Sequence, residues 1–398
     1  MIPAKPGAWK DGDVVMLETC TVRLGAILAD AERLMSCESP SDDLAAIARS
    51  ADVVADVVGA RLAEAGLPST PERIVVDGRT HLRWRFGGGR RVVVLTHHDT
   101  VWPIGSLATH PIGTADGMLS GPGCFDMKVG IAQAVHAIAA LAQAGGPEAV
   151  DGVSLLVTGD EEIGSPTSRG LIEEEARRAK AVLVLEPAGP DGSLKTARKG
   201  ASMYKVEAFG RASHAGLEPE KGINAVIEMA QQIPVIAALG DDGHGTTVTP
   251  TRLRADTTVN TVPAHAVLDV DVRAMTPVEQ RRVDHAMRSL RPVLSGSRIG
   301  ISGGISRPVM DRAHTAHLFA RATALADAAG IHPLHAIAVG GASDGNLTAG
   351  MGAPTLDGLG AVGGGAHADS EHVLIEHIPH RTALVALLIE DTLAGGGT

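Results

Sequence analysis

Histidines and carboxylates follow three short apolar runs of this chain. His97-His98-Asp99 ends one run, Asp160-Glu161-Glu162 ends a second, and Glu186 ends a third, while Asp126 follows a glycine-rich loop. Imidazole nitrogen and carboxylate oxygen are suitable ligands for zinc and similar ions. Carboxylates gathered at one place repel each other and are driven to take up protons. A pair of divalent cations about 3.5–4 Å apart, bridged by one carboxylate, would remove that cost.

The runs that carry these residues predict a parallel sheet. Residues 91–96, 153–158 and 181–185 are mostly apolar and do not alternate with polar residues, as expected of strands buried on both faces. Helices are predicted between them, at 129–144 and 168–180. Strand–helix alternation is typical of a parallel α/β fold. Ligands bind beyond the carboxyl ends of such strands, so we expect these side chains to converge on one sheet edge.

The pattern changes in the middle of the chain. Alternating strands are predicted at 203–209, around 255–260 and at 266–273, with helices at about 222–239 and 277–291. Outside this region we predict helices at 12–36, 41–66, 310–330 and 378–394, and a strand at 355–359. We therefore expect a mixed, mainly parallel α/β domain made of 1–200 and 307–398. A smaller α+β domain, 201–306, is inserted into it.

Roles can be assigned to some of these residues from their spacing alone. In the pair Glu161-Glu162, one carboxylate can bind metal while the other acts as a general base. Asp99 points to the same side of an extended chain as His97 and could hold its second ring nitrogen. Taken singly, each residue has a plainer explanation. The acidic run could start a helix, Asp126 could be an N-cap, and Glu186 a surface charge. Together they favour a metal site.

Seven stretches of the chain resemble one family. They are 97–101, 121–128, 158–164, 185–187, 212–216, 340–344 and 365–371. In this order they resemble the M20 metallopeptidases, a family of dinuclear amide hydrolases, and they cover most of the chain. The resemblance implies two divalent ions. Zinc is favoured by ligand type, and cobalt or manganese fit similar ligands.

The resemblance also implies a role for each matching residue. Asp126 would bridge both ions, His97 and Glu186 would bind one, and Glu162 and His367 the other. Glu161 would be the general base and Asp99 would orient His97. The peptide bond after Asp126 is often cis in this family.

Three further residues of the smaller domain have implied roles. His214 would stabilise the oxyanion from the partner subunit of a homodimer formed through that lid domain. Asn260 and Arg307 would contact the substrate near its oxyanion and terminal carboxylate. Without the resemblance, His214 is interpreted as a surface turn residue and Arg307 as part of a salt bridge at the hinge.

Some features depart from the family pattern or imitate another one. His98 lies where an apolar residue is usual, and the H-x-D spacing selects His97 as the ligand. Cys124 could be taken for a ligand, but a small buried hydrophobic residue is the simpler interpretation. Residues 358–363 fit the GxGxxG pattern, yet no helix opens there and no βαβ unit follows, so dinucleotide binding is not expected.

Composition narrows the class of protein. The formal net charge of the 398 residues is -11 and no Lys/Arg block occurs, which disfavours nucleic acid and anionic membranes as partners. Only three cysteines occur, with no CxxC, and no signal peptide or span of about 20 apolar residues is evident. We therefore expect a cytoplasmic protein.

The leading functional hypothesis is a metallocarboxypeptidase of the glutamate carboxypeptidase type, acting on a substrate with a free carboxylate. Arg307 and the Trp102-Pro103 stretch resemble that branch of the family. The alternative is an N-acyl amino acid deacylase, of the acetylornithine deacetylase or succinyl-diaminopimelate desuccinylase type. A more remote alternative is an inactive metal-binding scaffold, which the presence of Glu161 disfavours.

Overall fold

The computed structural model describes residues 10–89, 91–331 and 333–395. The chain divides into two compact units. The first unit comprises Met1–Ala197, Asp311–Ala338 and Ser343–Thr398, and the second comprises Arg198–Met310 and Val339–Ala342. In sequence, the second unit therefore interrupts the first.

The helices and strands follow one another along three segments of the chain. The first segment contains α1 (Lys10–Val22), α2 (Leu24–Met35), α3 (Leu44–Glu64), β1 (Glu72–Val76), β2 (Arg79–Arg85), β3 (Val92–His97), α4 (Ser106–Thr109), β4 (Gly113–Ala115), β5 (Met118–Ser120), α5 (Val129–Gly145), β6 (Val153–Thr158), α6 (Arg169–Ala176), β7 (Ala181–Val184) and β8 (Leu194–Arg198). The middle segment contains β9 (Gly200–Phe209), β10 (Ser213–His214), α7 (Ala225–Ala237), β11 (Thr247–Arg254), β12 (Thr261–Val262), β13 (His265–Ala274), α8 (Pro277–Arg288) and β14 (Arg298–Arg307). The last segment contains α9 (Ala316–Ala329), β15 (Ala336–Val339), α10 (Asp344–Gly350), β16 (Thr355–Leu356), β17 (Gly363–Gly364), β18 (His372–Leu374) and α11 (Ile378–Leu393).

The main sheet of the first unit is mixed and mainly parallel, as predicted. Its strand order is β1-β2-β6-β3-β7-β16. The four strands β6, β3, β7 and β16 run parallel, and the β1–β2 hairpin is joined to β6 by an antiparallel pairing of β2. A separate antiparallel sheet has the order β17-β18-β5-β4, and β8 pairs with β15. In the main sheet β3 lies between β6 and β7, so the ends of these three strands are neighbours.

The core of the first unit packs around this sheet. Every residue of β3, β6 and β7 is buried, and α5 is buried along most of its length with α11 beside it in the same cluster. The segment Cys124–Gly145 is long and apolar enough to cross a membrane, but 94% of its apolar window is buried inside the fold. It is therefore accounted for as the core helix of the unit.

The second unit is a four-stranded antiparallel sheet with the order β11-β13-β9-β14. Side chains of α7 and α8 cover one face of it, with Met229, Ile236, Val283 and Met287 in the same buried cluster as β9 and β13. Burial alternates along β13, as expected of a sheet covered on one side. This is the predicted α+β architecture.

Several predicted elements differ from the structure or were missing, and three of them have a clear reason. The single helix predicted at 12–36 is two helices that meet at Arg23, whose Nη1 lies 3.2 Å from the buried His136 Nδ1. The strand predicted around 255–260 lies earlier, as β11, and contains Pro250, which an edge strand tolerates. The β1–β2 hairpin was not predicted because polar residues in β2 are buried by pairing: Arg83 binds Glu72 and Glu175.

Candidate metal centre

The predicted ligands of the first unit converge at the carboxyl ends of the parallel strands. His97 is the last residue of β3, and Glu161 and Glu162 follow β6 in a short 3₁₀ turn. Glu186 follows β7 directly after Leu185. Because β3 is hydrogen-bonded to both β6 and β7, the three strand ends open onto one place.

Asp126 lies between two groups of side chains. Its Oδ1 is 3.2 Å from His97 Nε2, which is itself 3.5 Å from Glu186 Oε1. Its Oδ2 is 3.5 Å from His367 Nε2, and that nitrogen is 3.2 Å from Glu162 Oε2. Each oxygen of one carboxylate therefore faces a different histidine, and each histidine lies beside a different glutamate.

The backbone around Asp126 is irregular, which turns its side chain toward the strand ends. It belongs to the helical turn Cys124–Lys128 before α5, in which Asp126 and Met127 depart from helical angles. The Asp126–Met127 peptide bond is cis, as the resemblance predicted. Gly123 precedes the turn with φ of 72°, and a Cβ there would lie 2.7 Å from Thr100 Cγ2. Glycine is therefore required at this position.

Asp99 contacts other groups besides His97, the residue that it was predicted to orient. The ring of His97 is 3.0 Å from the backbone oxygen of Asp99 through Nδ1 and 3.4 Å from its carboxylate Oδ1. The carboxylate itself accepts hydrogen bonds from the backbone N–H of Glu161, at 3.1 Å on Oδ1, and of Glu162, at 3.2 Å on Oδ2. Ser41 donates a further bond of 2.7 Å. Asp99 thus fixes the turn that carries both glutamates.

The ring of His98 points to a different environment from that of His97. Its Nδ1 is 3.1 Å from Ser50 Oγ and its Nε2 is 3.0 Å from the Thr80 carbonyl oxygen. Burial, with the nearby Lys128 ammonium adding to it, lowers the pKa of His98 to about 4. The buried Lys128 donates to the His98 carbonyl oxygen at 2.8 Å, joining the backbone beside His97 to the turn of Asp126.

The electrostatics show crowding of negative charge. Burial raises the pKa of Glu162 to about 7, and the Asp126 carboxylate adds to this effect. Hydrogen bonds to Asp126 and Glu162 raise the pKa of His367 to about 10. Burial opposes ionisation of Asp126, but hydrogen bonds from His367 and His97 outweigh it and lower the pKa of Asp126 below its usual range. The crowded carboxylates thus favour positive charge between them.

Donor type and geometry both fit divalent cations. Ligand atoms of His97, Asp126 and Glu162 lie within 4.8 Å of one another, and so do those of His97, Glu161 and Glu186. Glu162 Oε1 is buried and has no hydrogen-bond partner among the residues that the structure describes. A buried carboxylate oxygen without a donor is costly, and a bound cation would satisfy it. The second group contains Glu161, the base that the resemblance implies, beside the predicted ligands His97 and Glu186.

The remaining predicted residues belong to the second unit. His214 lies in β10, opposite Thr261 of β12, and its side chain is exposed. Its Nδ1 accepts hydrogen bonds of 3.1 Å from the backbone N–H of Gly216 and of Leu217, so Nε2 carries the proton in the neutral ring. Asn260 lies next to this segment: its backbone carbonyl oxygen accepts a hydrogen bond of 2.8 Å from the backbone N–H of Ala215.

Arg307 ends β14 and is buried, only 4% exposed. Its carbonyl oxygen accepts a hydrogen bond of 2.8 Å from Gln280 Nε2, which fixes the end of the strand.

The structure also explains residues with no assigned chemistry. Cys124 is fully buried and is in neither group of potential ligands. The glycines of the GxGxxG pattern serve close packing: a Cβ at Gly360 would lie 2.1 Å from the Leu185 carbonyl oxygen. Glu371, which has no role predicted from the sequence, is buried beside the Asp126 turn. The sequence feature that could have indicated a role is its position at the end of the stretch 365–371, which resembles the family.

Comparison with known proteins identifies the family. The model of peptidase family M20/M25/M40 matches residues 93–391. The chain belongs to this family. Carboxypeptidase G2 from Pseudomonas sp. (strain RS-16) is 29% identical over 400 residues, covering 96% of this chain and 93% of that protein.

Two further proteins resemble this M20 peptidase along most of their length. Succinyl-diaminopimelate desuccinylase from Methylorubrum populi is 25% identical over 389 residues, which cover 89% of this chain and 99% of that protein. The crystal structure of the M20 family metallo-carboxypeptidase Sso-CP2 from Sulfolobus solfataricus matches with a TM-score of 0.65 at 15% identity, covering 92% of this chain and 98% of that one. At that identity the match supports the fold.

Proposed function

We propose that this M20 peptidase is a metallocarboxypeptidase that removes a glutamate-like C-terminal residue from N-acyl or peptidyl substrates. The observation that carries the proposal is the position of Asp126 between the His97–Glu186 pair and the Glu162–His367 pair. One carboxylate shared by two ligand sets is the arrangement of two-ion hydrolases. The likeness to carboxypeptidase G2 along 96% of the chain supports the carboxypeptidase assignment.

The residues around the centre divide the chemistry. Bound divalent ions would polarise the scissile carbonyl and acidify the attacking water. Glu161 takes the proton of that water and passes it to the leaving amine. Asp99 keeps Glu161 and Glu162 in place through their backbone N–H groups. Of the two adjacent glutamates, Glu162 is the one with a buried oxygen that has no hydrogen-bond partner within the described part of the chain, which favours it as the ligand.

Three residues of the second unit complete the proposal. His214 donates from Nε2 to the oxyanion, in a homodimer where the partner subunit supplies this residue. Asn260, whose backbone carbonyl oxygen accepts from the N–H of Ala215 next to His214, contacts the substrate near that oxyanion. Arg307 binds the terminal carboxylate of the substrate, for which a planar guanidinium is well suited.

The second unit then acts as a lid and dimerisation domain. The exposed edge strand β11 is available for pairing with another chain. Zinc is the proposed metal, since two of the five ligands are histidines and three are carboxylates. The cytoplasm is the proposed compartment, which agrees with the free thiols of Cys20, Cys37 and Cys124.

A second candidate has support of its own. Succinyl-diaminopimelate desuccinylases are similar to most of the chain, so an N-acyl amino acid deacylase with the same ions and base is the alternative. The difference lies in which side of the amide bond is recognised. An inactive scaffold would have no need of Glu161 within reach of His97 and Glu186.

Metal analysis and a substrate panel test the proposal. Purified protein should hold two ions per chain and hydrolyse N-acyl-glutamates and dipeptides ending in glutamate faster than acetylornithine or N-succinyl-diaminopimelate. Glu161→Gln should lower kcat by about 100-fold or more while retaining both ions, and Glu376→Gln, an exposed control, should change nothing. Preference for N-succinyl-diaminopimelate would establish the alternative. Full turnover by Glu161→Gln would refute the assigned base.

A further inference from the structure

Glu371 is a buried carboxylate that the proposed chemistry leaves unused. It is 3% exposed and lies four residues after His367, immediately before β18. The loop between the two residues is tight: Ala368 N–H donates to Gly365 O, and Glu371 N–H donates to Ala368 O. A Cβ at Gly365 would lie 2.6 Å from the Ser370 carbonyl group. The positions of His367 and Glu371 are therefore coupled through one compact loop.

Both oxygens of Glu371 accept hydrogen bonds from other loops. Oε1 accepts from the backbone N–H of Phe125 at 2.9 Å and of Asp126 at 3.0 Å. Oε2 accepts from Gly123 N–H at 2.9 Å and from the indole N–H of Trp102 at 2.6 Å. All four donors are N–H groups, so each oxygen acts only as an acceptor, which is the role of an ionised carboxylate.

These four bonds join three segments that each carry part of the candidate centre. The first segment runs from His97 through Asp99 to Trp102. The second is the turn that contains Gly123 and Asp126, and the third is the loop that contains His367. The bonds reach the backbone N–H of Asp126 itself, the residue that faces both histidines. One side chain therefore connects all three segments.

We propose that Glu371 is a positioning residue of the metal centre: its carboxylate fixes the Asp126 turn against the His367 loop, so that one aspartate can face two ligand sets. The inference rests on the proposed two-ion function. Groups that orient metal ligands commonly change metal affinity or activity by about 10–100-fold when they are mutated. Glu371→Gln has nearly the same size but only one acceptor oxygen, so one pair of N–H donors meets an NH₂ group.

A matched control separates positioning from simple stability. Glu228 in the second unit is likewise buried, and its carboxylate accepts from the backbone N–H groups of Val293 and Leu294 and from Ser297 Oγ. Glu228→Gln should lower the thermal unfolding midpoint without altering metal binding. Like Glu371→Gln, it removes a buried acceptor and should lower the stability of the fold. Unlike those of Glu371, these hydrogen bonds of Glu228 are made with residues of the second unit and not with the Asp126 turn.

The experiment compares wild type, Glu371→Gln, Glu228→Gln and Trp102→Phe after chelation and titration with Co²⁺. Affinity is measured by competition with a chromophoric chelator, coordination by the visible d–d spectrum, and folding by circular dichroism. Glu371→Gln should bind Co²⁺ about 10–100-fold more weakly with an altered spectrum. Trp102→Phe removes one of the four donors, so it should change the Co²⁺ affinity and the spectrum in the same direction but by less. It replaces Glu371→Gln in the test if Glu371→Gln does not fold.

The outcomes distinguish the two proposals. Wild-type Co²⁺ affinity and spectrum in both Glu371→Gln and Trp102→Phe, with only the unfolding midpoint lowered as in Glu228→Gln, would reduce Glu371 to a structural residue and overturn the inference. A wild-type protein that binds no Co²⁺ would remove the two-ion function and the role of Glu371 together.

Discussion

Replacing Asp99 by asparagine removes one acceptor without changing shape. Asp99 is fully buried, and its two oxygens accept from different backbone N–H groups, Oδ1 from Glu161 and Oδ2 from Glu162. Asparagine offers one oxygen and one NH₂ group. Whichever way the amide is turned, the N–H of Glu161 or of Glu162 faces another donor, and the turn that carries both glutamates must move.

The magnitude follows from the cost of one unsatisfied buried N–H, about 1–3 kcal/mol. If this cost is expressed fully in the transition state, kcat falls about 5- to 150-fold. Because the proposed function assigns the carboxylate of the substrate to Arg307 and not to Asp99, KM should change much less than kcat. The assay is steady-state hydrolysis of an N-acyl-glutamate, with bound metal and the unfolding midpoint measured on the same samples.

Asp30→Asn provides the control. Asp30 is another buried carboxylate of the first unit, held by Arg61 and His136 among the helices. Its replacement should lower stability and leave kcat within about twofold, as for changes outside the reacting groups. If Asp99→Asn turned over as fast as wild type, or lost no more activity than Asp30→Asn, the positioning role of Asp99 would be refuted.

Three further outcomes are expected. Asp126→Ala should bind fewer ions than Glu186→Ala by metal analysis, because Asp126, unlike Glu186, lies near both His97 and His367; equal stoichiometry would contradict its shared position. Gly360→Ala should reduce stability and metal content together, since the new Cβ would lie 2.1 Å from the carbonyl oxygen of Leu185, next to Glu186, and a variant with wild-type melting and metal content would contradict the packing argument. Burial raises the pKa of Asp30, but hydrogen bonds from His136 and Arg61 outweigh it and lower that pKa below its usual value. The stabilisation is therefore present above pH about 4 and is lost as the pH falls through the lowered pKa, so chemical denaturation should show the difference between wild type and Asp30→Asn shrinking in acid; a difference that stays constant would contradict this.

Much of the first unit could be predicted because its central strands are mostly apolar and are followed by chemically distinctive residues. The run before His97 has no polar residue except Thr96, so its burial on both faces and its central place in the sheet follow from composition. The choice of His97 over His98 came from spacing alone, and the rings do lie in different environments.

What could not be predicted depends on partners distant in sequence. Arg83 in β2 looks like a surface residue until Glu72 and Glu175 are placed beside it. Glu371 accepts hydrogen bonds from Phe125 and Asp126, which lie 246 and 245 positions away in the sequence. The periodicity of apolar residues within a helix or strand does not predict such contacts. Arg23, where the first two helices meet, likewise contacts His136, which lies in another helix. Sequence patterns report burial and direction within an element, and they say little about polar side chains buried by pairing.

The interruption of the first unit by the second has a consequence for synthesis. Translation produces β3, β6 and β7 early, yet β16, the His367 loop and α11 emerge only after Asp311. Until then α5 lacks its neighbour in the core and the sheet lacks an edge strand. A ribosome-bound chain that ends before Asp311 therefore leaves apolar residues of α5 uncovered while the second unit folds. The acidic side chains of the first segment then lack His367. The full set of predicted ligands exists only once His367 has been synthesised.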